Sequence, residues 1–367
     1  MIWIWLGFTA LILALLALDL GVFHRKAHVV DTKEALGWSA VWITLGLSFS
    51  IFIYFAYAGH WLGIGRTTDL MSVSPSNPLG HNDGFAAALK YLTGYLIEKS
   101  LSIDNIFVIA LVFSMIGVPP LYRHRVLFWG ILGALAMRAV MIAVGVQLIT
   151  RFSWIIYVFG GILILTALKM LLMKDTGADP AGSSLVRWCR RHLPVTERFH
   201  GEHFWVRAGT SAAGEAAVPG GLAERDAVAE KAKAGAWLMT PLFLALIVVE
   251  FTDLVFAVDS IPAIFAITTD PFLVFTSNVF AILGLRSLYF ALEGMLGAFR
   301  YLKTALAVVL ILVGVKMMTH VWLKQVLGEH FNLWVLAGVA AVLAAGVLAS
   351  ILIPENTDDS TASGGTV

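Results

Sequence analysis

The stretch "VVEFTDLVFAVDSIPAIF" (residues 248–265) places three carboxylates, Glu250, Asp253 and Asp259, inside a long apolar run. A soluble core rarely buries three acids so close together. A lipid-facing helix would do so even less readily, because each charge at the bilayer centre costs at least about 2.5–3.5 kcal/mol. The stretch therefore predicts a membrane helix whose acids are compensated by other charges.

The composition of the whole chain indicates a polytopic membrane protein. Of its 367 residues, 59% are hydrophobic and only 13% are charged, whereas soluble domains have about 25% charged residues. Mean hydropathy is +0.84. The net charge of +1 gives no indication of a nucleic-acid partner. The single cysteine, Cys189, excludes an internal disulfide framework and a thiolate metal cluster.

Apolar stretches of about 20 residues, the length of a membrane crossing, recur along the chain. They are residues 1–23, 37–59, 85–116, 124–149, 153–173, 237–267, 272–292, 303–320 and 331–353. We therefore expect an all-α membrane protein with about nine transmembrane helices. The third and sixth stretches are longer than a simple crossing requires, which predicts tilt, a kink or a break.

The expected organisation follows from these spans. It comprises two N-terminal transmembrane helices in 1–60, a first transmembrane repeat in 84–173, a cytoplasmic loop in 174–236, a second repeat in 237–320, a C-terminal transmembrane helix in 331–353 and a disordered tail in 354–367. Within the loop, "RFHGEHFWVR" (198–207) predicts a short strand. Lys and Arg alternate between rich and poor loops, which places the N-terminus outside and the C-terminus in the cytoplasm.

Three landmarks recur in the same order at nearly constant spacing. "ILILTALKM" (162–170) matches "VLILVGVKM" (309–317), Arg138 matches Arg286, and "EKSLSIDNIFVIALVF" (98–113) resembles "EFTDLVFAVDSIPAIF" (250–265). Three crossings leave the chain on the far side of the membrane, so these units form two inverted three-helix repeats. That architecture is typical of secondary transporters, whose sites lie near the midplane between repeats. Duplication without transport is the alternative.

Charges inside the spans do not balance. The acids are Glu98, Asp104, Glu250, Asp253 and Asp259, and the bases are Lys99, Arg138 and Arg286. Five minus three leaves two negative charges, which one divalent cation would neutralise. We expect the two arginines to balance charge in symmetry-related positions, each near an acid of its own repeat.

The available ligand atoms favour a hard cation. All ten histidines lie at span ends or in loops, so the interiors of the spans offer no imidazole ligands for zinc or copper. Carboxylates, Asn105, Ser260 and free backbone carbonyls suit magnesium, calcium or manganese. Pro262 has no N–H to bond the carbonyl of Val258, and a kink there would help to bring the carboxylates together.

Several motifs together resemble the TerC family of integral membrane proteins, especially its Alx-like branch. They are "LDLGVFHRKAHVV", "EKSLSIDNIFV" and "PLFLALIVVEFTDLVFAVDSIPAIFAITTDPFLVFTSNVFAILGLRSLYF", and the resemblance covers nearly all of 1–353. The resemblance implies membership of a cation and amino-acid exporter superfamily, associated with manganese export, metal supply to exported proteins and tellurium resistance. An Ala/Gly-rich insertion near 211–235 departs from the family pattern. The family's acidic motif falls here on Glu98, Asp104, Asn105, Glu250, Asp253, Asp259 and Ser260.

The resulting hypothesis is a secondary transporter that exports manganese across the bacterial cytoplasmic membrane. The seven motif residues would bind the ion, and H⁺ or Na⁺ would drive its movement. No resident cofactor is expected. An enzyme is not expected either, since the spans carry no His/Ser or His/Cys nucleophile pair. The alternative is a non-transporting scaffold or metal sensor in tellurium or metal stress.

Overall fold

The computed structural model describes residues 2–21, 31–74, 77–152, 154–172, 180–208, 233, 235–293, 300–319 and 331–352. Within the helices, its description omits the side chains of residues 19–21, 104, 180–184, 259, 300, 302, 303, 331, 332 and 351. The tail predicted at 354–367 and the linker part of the cytoplasmic loop lie outside the described residues.

Most of the described chain is helical. The helices are α1 (Ile2–Gly21), α2 (Thr32–Ala58), α3 (Gly84–Ile116), α4 (Pro120–Arg151), α5 (Ile155–Leu172), α6 (Pro180–His192), α7 (Pro241–Phe265), α8 (Pro271–Ile282), α9 (Leu285–Glu293), α10 (Arg300–Met318) and α11 (Phe331–Leu352). A 3₁₀ turn, Trp61–Gly63, follows α2.

Seven helical segments of the described chain are long and apolar enough to cross a membrane. They are Thr32–Ala58, Gly84–Ile116, Pro120–Arg151, Ile155–Leu172, Pro241–Phe265, Pro271–Glu293 and Leu333–Ser350. Two shorter apolar helices, Ile2–Leu18 and Thr304–Met318, coincide with the first and eighth predicted spans. The predicted class, a helical membrane protein, is therefore confirmed, whereas the count of nine spans stays a prediction.

Side-chain caps mark where the central helices begin. Asp83 accepts a hydrogen bond from the N–H of Ala86 at the start of α3. Thr240 and Asp270 do the same at the starts of α7 and α8, where a proline occupies the first helical position. These caps satisfy N–H groups that have no partner within the helix, so the helix starts are fixed by local sequence.

The two predicted repeats pack against each other helix by helix. Helix α5 contacts α10, α3 contacts α7 and α8, and α4 contacts α7. At the α5–α10 crossing, a side chain added to Gly160 would press on the carbonyl of Gly314, and the reverse also holds. Small residues let membrane helices approach closely. The packing joins the two units, and their inverted relation stays a prediction.

The seventh predicted span is broken rather than continuous. Helix α8 ends at Ile282 and α9 begins at Leu285, with Gly284 between them at φ +80°. A side chain at Gly284 would also overlap the ring of Trp42 in α2, so only glycine fits. The third and sixth predicted spans, where extra length favoured a kink or break, are continuous helices here, and α7 runs through Pro262 to Phe265.

Lys99 stabilises this break. Its ammonium group donates to the carbonyls of Ala281, at 3.1 Å, and Leu283, at 3.4 Å. Carbonyls at a helix end have no further turn to bond them, and an unbonded carbonyl in a membrane costs several kcal/mol. Lys99 was expected to be a counter-charge for the acids, whereas its described bonds are to these carbonyls.

The strand expected within 198–207 is present. Strand β1 (Trp205–Arg207) pairs antiparallel with β2 (Trp237–Met239), with Val206 opposite Leu238. Because β2 ends just before Thr240, the cap of α7, this small sheet fixes where α7 starts. Helix α6, which was not predicted from the sequence, also contacts α7.

Candidate functional site

A buried arginine lies where α3, α4 and α7 meet. Arg138 of α4 is 2% exposed, and its Nη1 forms an ion pair with Glu98 of α3. Its Nη2 and Nε donate to the two carboxylate oxygens of Asp253 in α7, at 3.1 and 3.4 Å. One guanidinium therefore joins a carboxylate from each predicted repeat.

Neutral polar groups complete this arrangement. Nη1 of Arg138 also donates to Oδ1 of Asn278, at 3.1 Å, and to Oγ of Ser260, at 3.4 Å. Asn105 donates from Nδ2 to Asp253 at 3.4 Å. We call Glu98, Asn105, Arg138, Asp253, Ser260 and Asn278 the central cluster. Apart from Asp253, whose side chain is 14% exposed, these residues are buried.

Glu250 extends the negative charge of the central cluster. It lies one turn before Asp253 on α7, half-buried, and the two carboxylates are close enough to repel each other. A side chain on Gly133 of α4 would overlap the Glu250 carboxylate, so this glycine makes the room that the acid needs. Glu98, Glu250 and Asp253 together can carry up to three negative charges against the one positive charge of Arg138.

The structure brings together Glu98, Asn105, Asp253, Ser260 and Arg138 from the predicted set, with Glu250 beside them. Asp104 and Asp259 lie next to Asn105 and Ser260 in α3 and α7, but their side chains lie outside the described residues. Their ligand roles stay predictions. Asn278 was missed because it is uncharged, although a lone amide in the apolar run "PFLVFTSNVFAIL" was a usable signal.

Arg286, the predicted counterpart of Arg138, is also buried. It lies on α9, is 4% exposed, and its Nη1 is 3.1 Å from Nε2 of His124 in α4. Arginine can only donate, so this contact requires Nε2 to be the accepting nitrogen of His124. The contact links the second repeat to the first, and the charge-balancing role of Arg286 stays a prediction.

Residues 84–358 match the family described as "Integral membrane protein TerC family". The chain belongs to the TerC family. It is 46% identical over 349 residues to the Myxococcus xanthus "Uncharacterized membrane protein STKORF319", covering 95% of this chain and 92% of that protein.

Other relatives carry the name Alx. The "Putative membrane-bound redox modulator Alx" of Salmonella typhi is 43% identical over 335 residues, or 90% of this chain and 91% of that protein. The protein of the same name from Escherichia coli K12 is 41% identical over 338 residues, or 91% and 92%. No solved structure matches the chain. The matched family region contains the whole central cluster.

This TerC-family protein has a second buried cluster, in the loop before α3. Asp69 and Lys90 are both 0% exposed, and the ammonium of Lys90 is 2.6 Å from Oδ2 of Asp69. Oδ2 also accepts from Nδ2 of Asn82 and Oγ1 of Thr268, while Oδ1 accepts from the N–H groups of Met71 and Thr269 and from Oγ1 of Thr269. We call Asp69, Asn82, Lys90, Thr268 and Thr269 the loop cluster.

The loop cluster is fully bonded. Burial alone would raise the pKa of Asp69, but the charge of Lys90 and the hydrogen bonds from Lys90, Thr268 and Thr269 hold that pKa well below its usual range. These bonds tie the loop before α3 to the turn between α7 and α8. Sequence reasoning missed this pair, since Asp69 lies in a loop and its partners are distant in the chain.

Asp270 lies at the edge of the loop cluster and has the opposite electrostatic character. It is 1% exposed, and burial, followed by the negative charge of Asp69, raises the pKa of its carboxyl. Thr67 donates to Oδ2 of Asp270 at 3.0 Å, which offsets part of that rise. An ionised Asp270 therefore costs free energy in the folded protein.

Metal ligation by the central cluster would require a rearrangement. In the described part of the chain, no group of three or more His, Cys, Asp or Glu side chains is arranged to hold a metal ion. The guanidinium of Arg138 instead fills the space between Glu98 and Asp253. The oxygens there are carboxylate, amide and hydroxyl oxygens, which are hard-cation ligands.

Proposed function

We propose that this TerC-family protein is a secondary transporter that exports divalent metal cations, manganese foremost, through the central cluster. The observation that carries the proposal is the meeting of Glu98 and Asp253, one from each repeat, around a single buried guanidinium. With Glu250 beside them, the three described acids of this site exceed the single charge of Arg138 by two when all three are ionised. One divalent cation balances that excess.

The type of ligand supports a hard cation. Carboxylate oxygens from Glu98 and Asp253, the amide of Asn105 or Asn278 and the hydroxyl of Ser260 suit manganese, magnesium or calcium. Asp104 and Asp259 are the further ligands that we propose. Carboxylates can exchange a proton or Na⁺ for the metal, so either ion can serve as the coupling ion.

The proposed setting is the bacterial cytoplasmic membrane, with the N-terminus outside and the C-terminus in the cytoplasm. The Lys/Arg distribution of the loops supports this orientation. It places the loop cluster on the outer side and the α6–β1–β2 segment on the cytoplasmic side. Movement of one repeat against the other would then expose the central cluster to each side in turn.

The name of the Alx relatives suggests redox modulation as a different role. An intramolecular dithiol–disulfide cycle needs two thiols, and this chain has only Cys189, which is buried. Altered metal supply to redox proteins is an indirect route to such a role that agrees with export. The other alternative is a non-transporting scaffold or a metal sensor.

Flux measurements in everted membrane vesicles test the proposal. Vesicles from cells that lack other manganese exporters would carry the wild-type protein, Glu98→Gln or the control Asp83→Asn, in which an exposed cap keeps its capping group. We expect energised uptake of Mn²⁺ by the wild type and the control. At equal protein level, Glu98→Gln should reduce uptake at least about 10-fold.

The same vesicles separate the alternatives. Competition by Mg²⁺ and Ca²⁺ measures selectivity among hard cations. A wild-type protein that binds Mn²⁺ without moving it would be a sensor, and one that neither binds nor moves any of the three ions would be a scaffold. Either result would contradict the proposed export.

A further inference from the structure

We propose that Arg138 is a built-in competitor of the transported cation. In the absence of metal its guanidinium occupies the carboxylates of Glu98 and Asp253, and metal binding displaces it. This inference rests on the proposed export function. It concerns how the empty transporter returns to collect the next ion.

The contacts of Arg138 carry the inference. Its nitrogens bond both carboxylates and, in addition, the oxygens of Ser260 and Asn278. Glu98, Asp253 and Ser260 are proposed metal ligands. A metal ion that binds these oxygens and the guanidinium therefore compete for the same positions.

Charge explains why such a competitor is needed. Without Arg138 or a metal ion, Glu98, Glu250 and Asp253 would bring up to three uncompensated negative charges together inside the membrane, where uncompensated charge is costly. Arg138 lowers that charge when the metal is absent. Arginine stays protonated even when it is buried, whereas a buried lysine can lose its proton, so compensation by Arg138 does not depend on pH.

A kinetic consequence follows. Net transport requires the metal-free protein to reorient, with or without a coupling ion, whereas exchange of one Mn²⁺ for another across the membrane requires only the Mn²⁺-loaded protein to reorient. Removing the guanidinium should therefore slow net transport far more than exchange. It should also tighten equilibrium binding of Mn²⁺, because the internal competitor is gone.

Purified protein in liposomes tests this with three variants. Arg138→Gln removes the charge, Arg138→Lys keeps the charge but loses the planar fork that bonds a carboxylate through two nitrogens, and Arg151→Gln is a control at the exposed end of the same helix. We measure Mn²⁺ affinity, net Mn²⁺ flux into metal-free solution, and exchange of radioactive for unlabelled Mn²⁺.

For Arg138→Gln we expect at least tenfold tighter Mn²⁺ binding and at least a tenfold rise in the ratio of exchange to net flux. For Arg138→Lys we expect binding a few-fold tighter and a ratio close to that of the wild type. The control should match the wild type in all three measurements.

Three outcomes would overturn the inference. If Arg138→Gln binds Mn²⁺ more weakly and loses exchange and net flux in parallel, Arg138 positions the carboxylates instead of competing for them. Unchanged affinity and ratio would show that the metal does not meet the guanidinium. If Arg138→Gln does not reach the membrane, Arg138→Lys decides, and equal or weaker binding overturns the inference. A wild-type protein without binding or flux would refute the export function itself.

Discussion

The loop cluster and the central cluster both bury an acid against a base, but they differ in charge and in bonding. In the loop cluster, one carboxylate, Asp69, meets one ammonium, Lys90, and accepts six hydrogen bonds. In the central cluster, Arg138 is shared between two carboxylates, with the carboxylate of Glu250 one turn away. The acid and the base of the loop cluster balance each other, whereas the central cluster together with Glu250 has an excess of negative charge.

This difference separates a structural role from a functional one. A balanced, fully bonded ion pair has nothing to offer a further cation, and it holds the loop before α3 to the turn between α7 and α8. Excess carboxylate charge deep in the membrane is costly unless a cation compensates it, and intramembrane acids commonly mark ion pathways. In the proposed orientation, the loop cluster ties the helices together on the outer side, and the central cluster is the proposed cation site.

Asp253→Asn should show the largest effect on transport. It keeps the shape of the side chain but removes one of the two carboxylates that Arg138 bridges. We expect Mn²⁺ export per protein molecule to fall about 100-fold. Arg138 retains Glu98, so the amount of protein in the membrane should stay close to that of the wild type. Manganese accumulation in cells, normalised to membrane protein level, measures this. Normal export would show that the ion does not use this acid.

Asp69→Asn should chiefly lower the stability of the protein instead of its transport activity. It leaves Lys90 buried without its carboxylate, which typically lowers the free energy of unfolding by about 3–5 kcal/mol. Thermal unfolding in detergent measures this loss. The double variant Asp69→Asn/Lys90→Met removes both charges but keeps one acceptor oxygen at position 69, so it should recover part of the loss. A single variant as stable as the wild type would contradict the structural role of the loop cluster.

Lys99→Met should lower the stability of the protein less than Asp69→Asn does, without changing Mn²⁺ affinity. It removes the donor to the carbonyls of Ala281 and Leu283 at the break between α8 and α9. Leaving a buried carbonyl unsatisfied costs about 1–3 kcal/mol. Unfolding temperature and Mn²⁺ affinity should be measured on the same sample. If the variant kept its stability but lost Mn²⁺ affinity, Lys99 would belong to the ion site instead.

Asp270→Asn should have the smallest effect, and the effect should depend on pH. Because the pKa of Asp270 is raised in the folded protein, its carboxyl favours folding below about pH 4, the unfolded value, and that advantage is lost as the pH rises through the folded pKa. The variant should therefore unfold at a higher temperature than the wild type at pH 7, with the gap closing towards pH 4. Asparagine keeps the cap of α8.

The stability contribution of Asp69 should depend on pH in the opposite direction to that of Asp270. Its pKa is lowered in the folded protein, so its stabilisation is present above about pH 4 and is lost as the pH falls through the folded value. A variant Asp270→Asn that was less stable than the wild type at pH 7 would show that the folded protein uses the negative charge of Asp270.

The sequence predicted the central cluster better than the rest of the molecule. An acid inside an apolar run is conspicuous because it is costly, so Glu98, Asp253 and Arg138 could be selected without a structure. The repeat placed those residues in related helices, and the motifs identified the TerC family. Only their exact partners, such as Asn278, needed the fold.

The loop cluster and the break between α8 and α9 were not predicted from the sequence, for physical reasons. Lys90 was visible in its apolar run, but its partner Asp69 is 21 residues away and Thr268 is 199 residues from Asp69. Pairings of that length depend on tertiary packing. Glycines are common in membrane helices as packing contacts, so the sequence did not distinguish Gly284, which breaks a span, from Gly160, which packs against another helix.

Titration of the purified protein with Mn²⁺, followed by electron paramagnetic resonance of the free ion, tests the central claim most directly. We predict that the wild type and Asp69→Asn/Lys90→Met bind Mn²⁺ with the same affinity and stoichiometry, whereas Asp253→Asn loses at least 90% of its affinity, about a 10-fold change or more. Retained binding in Asp253→Asn, or its loss in the loop-cluster double variant, would contradict the assignment of the ion site to the central cluster.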